Sequence, residues 1–87
     1  MKKKHASHTD IVVRLKRAQG HLSSILTMFA DGRSCLDLAQ QLHAVEKAVS
    51  NAKRELIHDH IEHCLVEEEG TDPKAALREF KALSKYL

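Results

Sequence analysis

From Ser34 to Glu69 the chain runs without a proline or a glycine. Within that stretch Cys35, Leu38, Leu42, Val45, Val49, Ala52 and Leu56 recur at alternating steps of three and four residues. Such a heptad seam demands one long helix laid against partner helices, and it narrows the possible folds more than any other feature of the sequence. A helix over 34–68 would be about 50 Å long. Ser34 can cap it, because a short side-chain oxygen accepts a hydrogen bond from a free first-turn N–H.

The flanking segments read as shorter helices. Val12, Leu15, Ala18, Leu22, Ile25 and Phe29 make the apolar face of a helix over 9–30, with Thr9 or Asp10 as its cap and Asp31-Gly32 as its stop. Gly20 inside this helix marks an expected close approach to another backbone. Gly70-Thr71-Asp72-Pro73 is a turn, and Ala76, Leu77, Phe80, Leu83 and Leu87 line a third helix over 73–86. Residues 1–8 read as a flexible arm. The first helix covers only part of the long seam, so the rest requires a second copy of the chain. The expected architecture is all-α, with three helices per chain and an antiparallel four-helix-bundle dimer.

Composition agrees. Eighty-seven residues allow one domain, 1–87, which is marginal as a lone monomer. With 43% hydrophobic and 30% charged residues the chain is neither disordered nor membrane-embedded. No apolar run reaches the roughly 18–20 residues of a membrane span, and Met1-Lys2-Lys3-Lys4 leads into polar residues rather than a secretory signal. A cytoplasmic protein with no membrane partner is expected. The net charge of +2 conceals an asymmetry. Lys2, Lys3, Lys4, Arg14, Lys16 and Arg17 face a single acid, Asp10, in the first segment, whereas Glu62, Glu67, Glu68, Glu69 and Asp72 cluster later. The basic segment suits an anionic partner such as nucleic acid.

Two cysteines in a cytosolic chain do not make a disulfide framework, and seven histidines are many for this length. His60 and Cys64 are four residues apart, hence on one helix face. Cys35 begins the long helix and lies about 37 Å from His60 along it, so the two cannot share an ion within one chain. In an antiparallel pair, Cys35 of one protomer meets the partner's His60 and the partner's Cys64. Two thiolates and an imidazole suit Cu(I) in a trigonal site, or Ni(II), Co(II) or Zn(II) with a fourth ligand. His58 and His63 fall away from the His60–Cys64 line and read as surface groups or neighbours of the ligands. Cys35 and His60 as a nucleophile and base would need an oxyanion hole and a pocket that a narrow bundle does not offer, so neither an enzyme nor a small-molecule substrate is expected. A helical dimer that merely stores metal remains a rival reading.

Arg14-Leu15-Lys16-Arg17-Ala18-Gln19-Gly20-His21-Leu22, then Cys35, then His60-Ile61-Glu62-His63-Cys64, resemble the CsoR/RcnR family of bacterial metal-responsive repressors over nearly the whole chain. Cys35, His60 and Cys64 fall where the family's Cys–His–Cys ligand set falls. The resemblance implies a dimer of dimers, a homotetramer, whose metal-free form binds operator DNA. Metal binding then releases the DNA and derepresses an efflux gene. It also implies that DNA is met by a basic surface rather than a helix-turn-helix. Arg14, Lys16 and Arg17 lie on matching ground, and Lys53 and Arg54 are further candidates.

The inducer divides the family. Glu79 matches the position of a glutamate that supports the ligands in copper sensors, whereas Ser34 stands where those sensors often carry Tyr. Ser7-His8-Thr9 resembles the N-terminal start of the nickel/cobalt branch, and His5 and His8 can fold over the site as additional ligands. Leu36 to Lys47 and Phe80 to Leu87 also look most like that branch. The balance favours Ni(II)/Co(II), with Cu(I) as the alternative. A formaldehyde sensor of the family uses an N-terminal Pro where this chain has Lys2, and a persulfide sensor lacks the histidine that is present here as His60. Both fit less well.

Overall fold

The computed structural model describes residues 6–62 and 72–87. Three helices follow in order: α1 (Ala6–Ala30), α2 (Cys35–His60) and α3 (Pro73–Ser84). No strand occurs among the described residues. The fold is all-α.

Local chemistry sets the boundaries. The α1 C-terminus closes with Gly32 at φ 69°, in the left-handed region that glycine enters without a side-chain penalty. Gly32 N–H donates to the Phe29 carbonyl and Arg33 N–H to the Met28 carbonyl, which satisfies two carbonyls left over by the last turn. Ser34 then caps α2, its hydroxyl accepting from Asp37 N–H at 3.1 Å. Asp37 adds an acidic side chain at the positive end of the helix dipole. Asp72 caps α3 by accepting from Lys74 N–H, with Pro73 in the first turn where its missing N–H costs nothing.

Two expectations need correction. α1 starts at Ala6, so His8, Thr9 and Asp10 are helical, and neither Thr9 nor Asp10 is its cap. Only residues 1–5 of the expected arm remain, and they lie outside the described residues. Gly20 approaches no other backbone, since a Cβ there would meet nothing within 4 Å. α2 gives way to a π turn at residues 61–62, and the continuation expected to 68 falls outside the described residues.

α1 and α2 form an antiparallel hairpin, and the seam divides along it. Ile11, Ala18 and Ile25 of α1 are buried, as are Leu38, Val45 and Ala52 of α2, each set repeating every seven residues. Ile25, Leu38 and Val45 make the core cluster, with Met28 packed on it. The alternate positions stay open. Leu15, Leu22, Leu42, Val49 and Leu56 are each 42–44% exposed, and Phe29 is 54% exposed. The molecule is only 15 Å deep in its thinnest direction, little more than one helix. One chain therefore uses half of its heptad pattern and presents the other half as an apolar stripe along both helices. No helix of the described residues is long and apolar enough to cross a membrane.

Candidate metal centre and basic face

The two ends of α2 carry the ligand candidates. Cys35 is its first residue, an exposed free thiol. His60 is its last, half-buried, with Nε2 3.1 Å from Glu79 Oε1 on α3. Twenty-five residues of continuous helix separate them, about 37 Å. Among the described residues no three His, Cys, Asp or Glu side chains gather as a metal site. Cys64, His63 and His5 lie outside the described residues.

The Glu79 carboxylate stands against the Nε2 edge of the His60 ring. Second partners of this kind orient a ligating imidazole and raise its basicity. The donors present, a thiol at one helix end and an oriented imidazole at the other, fit a soft or borderline transition metal held between two chains.

His8 takes a place the sequence did not foresee. Its Nε2 lies 3.5 Å from Oδ2 of Asp59, and the Asp59 side chain is 6% exposed. Asp59 was missed, although one signal was available. Leu38, Val45 and Ala52 advance by sevens, and the next step is Asp59. An acid in a hydrophobic register marks a buried polar contact. Two more contacts join the same helices: His21 Nε2 is 2.6 Å from Gln41 Oε1, and Arg14 is 3.2 Å from Glu55 Oε2.

The basic candidates separate by face. Arg14, Arg17 and His21 line a shallow groove between the helices with Asn51 and Ala48 of α2. Asn51 also lines a neighbouring depression with Arg54, Lys47 and Ser50. Arg14 and Arg17 thus border one depression and Arg54, with Glu46, the next, the two sharing Asn51. Lys16 and Lys53 are exposed and line neither depression.

The profile of the family described as metal-sensitive transcriptional repressors matches residues 7–86. The chain belongs to that family. Its members are regulators rather than enzymes. The copper-sensing transcriptional repressor CsoR of Mycobacterium ulcerans is 41% identical over 51 residues, 59% of this chain and 44% of that protein. CsoR of Bacillus subtilis is 36% identical over 58 residues, covering 67% of this chain and 57% of its own length. The copper-sensing repressor RicR of Mycobacterium tuberculosis is 31% identical over 52 residues, 60% of this chain and 54% of that protein. The chain thus spans about half the length of the curated relatives it matches. These relatives are named for copper, not for nickel or cobalt. No significant match was found among solved structures.

Proposed function

We propose that the chain is a Cu(I)-responsive transcriptional repressor that acts in the cytoplasm as a dimer or a dimer of dimers. This departs from the Ni(II)/Co(II) preference of the sequence, and the copper-sensing relatives motivate the change. The observation that carries the reading is the placement of Cys35 and the Glu79-oriented His60 at opposite ends of one helix. A second copy laid antiparallel on the open stripe of Leu15, Leu22, Leu42, Val49 and Leu56 would bring Cys35 to the partner's His60 and the partner's Cys64.

Bound there, the metal would supply a tie between two chains, thiolate and imidazole being suited to a soft ion. Cys35 and Cys64 would bind as thiolates and His60 through a ring nitrogen, with Glu79 beside the ring and His63 standing beside the ligands. In the metal-free protein, Arg14, Arg17 and Arg54 would meet operator DNA, with Arg forks on phosphates or on guanine edges. Closing the tie would shift the helices that carry these arginines and lower DNA affinity. A coupling of about 1–3 kcal/mol is the usual size for such linkage.

Chelator-buffered titration of the reduced, metal-free protein with Cu(I), Ni(II) and Co(II) tests this, with Cys35→Ala and His60→Ala alongside. Tight Cu(I) binding that needs both residues and that releases a DNA duplex supports the reading. Preferential Ni(II) or Co(II) binding would restore the divalent alternative. Metal binding with no change in DNA affinity would leave only a metal-storing dimer.

A further inference from the structure

We infer that Asp59 is a positioning residue. By holding His8, it carries the state of the last turn of α2 into α1, the helix bearing Arg14 and Arg17. The inference rests on the repressor reading above.

Consecutive residues on a helix diverge by about 100°. At the end of α2 this sends two neighbouring side chains to two different helices. His60 reaches Glu79 on α3 at 3.1 Å, and Asp59 reaches His8 on α1 at 3.5 Å. A rotation or shift of that single turn must move both contacts together. The turn is also where the helix changes pitch, since a π turn follows at residues 61–62.

The far side of the contact is placed to use such a movement. His8 lies six residues before Arg14, about 9 Å along a helix that continues unbroken to Ala30. Further along, α1 rests on α2 through Ile11, Ala18 and Ile25 and through two polar contacts, Arg14 with Glu55 and His21 with Gln41, so Asp59–His8 is the polar contact beside the turn that carries His60. The Asp59 contact has a defined partner atom and a buried carboxylate. Asp59 Oδ2 faces the His8 imidazole at 3.5 Å, so a movement of the turn that carries Asp59 bears directly on His8. A pull on His60 is therefore passed to the first turns of α1, and the arginines of the groove move with them.

The test uses the native chain, Asp59→Asn, His8→Gln and the double variant. Each is titrated onto a fluorescent duplex recovered from a randomised pool by the metal-free native chain, with and without saturating buffered Cu(I). The quantity read is the ratio of metal-free to Cu(I)-loaded DNA affinity. This ratio should fall about fivefold or more in each single variant, and no further in the double variant. Cu(I) affinity of Asp59→Asn, read by chelator competition, should stay within about twofold of native.

An unchanged ratio in His8→Gln overturns the inference even if Asp59→Asn fails to fold, because His8 is half-exposed and readily replaced. Losses that multiply in the double variant overturn it as well, and so does a large drop in Cu(I) affinity on changing Asp59, which would make that residue part of the ligand set. A native chain whose DNA affinity ignores Cu(I) overturns the repressor reading itself. A responsive native chain with equally responsive variants overturns only the role of Asp59.

Discussion

The two ends of α2 are built on different principles. The Cys35 end is closed by backbone chemistry: a left-handed glycine, a serine cap and the tight cluster of Ile25, Leu38 and Val45 just inside it. The His60 end also buries Ile11, Ala52 and Ile57, but it adds polar side-chain contacts, His8 with Asp59 and His60 with Glu79, and a π turn follows at residues 61–62. Backbone caps and dense apolar packing define one geometry. Polar side-chain contacts can be exchanged for others at modest cost. A metal tie between two antiparallel copies would then join a rigid donor from one chain to adjustable donors from the other, and movement would be confined to the adjustable end.

Substitutions at each end should separate these principles. The largest effect is expected at Ile25, which is 1% exposed beside Leu38. Ile25→Ala should cost about 2–5 kcal/mol of stability in chemical unfolding followed by circular dichroism. A loss under about 1 kcal/mol would mean that the Cys35 end is not the rigid one. At the other end, Glu79→Ala should leave unfolding nearly unchanged, because the Glu79 side chain is largely exposed, yet weaken Cu(I) binding about 10- to 100-fold by freeing the His60 ring. Equal Cu(I) affinity in chelator competition would remove Glu79 from the site.

Ser34→Ala should cost about 1 kcal/mol through loss of the α2 cap. It should leave the change in DNA affinity on adding Cu(I) intact, and a reduced response would show that the Cys35 end moves too. The smallest effect is expected on the groove. Arg14→Ala, which also removes a surface pair with Glu55 worth little in itself, should reduce the slope of log affinity for DNA against log salt by about one. An unchanged slope would place DNA on another face.

Much of this architecture was legible in the chain. Ser34, Gly32 and Pro73 act through local backbone chemistry that does not depend on distant residues, so the ends they mark could be read directly. Local reading failed at the start of α1. Thr9 and Asp10 are good caps, but the helix passes through them, and His8 inside it meets Asp59 some fifty residues away in the chain. Gly20 failed for the opposite reason: its surroundings are open, and no neighbour required a small residue. Lys16 and Lys53 share charge with Arg14 and Arg54 but line neither depression; two residues on one helix, as from Arg14 to Lys16, already turn a side chain by about 200°.

By itself the sequence determined that the chain is helical, where α2 and α3 begin, and that Cys35 and His60 stand too far apart on one helix to share an ion. These follow from period, capping and the fixed rise per residue, all of which are properties of a single segment. Only the tertiary structure decided which half of the heptad pattern α1 covers and which half stays open. It alone brought Asp59 to His8, and it set Glu79, which the family resemblance already placed in support of the ligands, against His60, because these pairings depend on the rotation of each helix about its axis and on the order in which the chain returns. Heptad spacing states that two stripes exist, and packing assigns a neighbour to each.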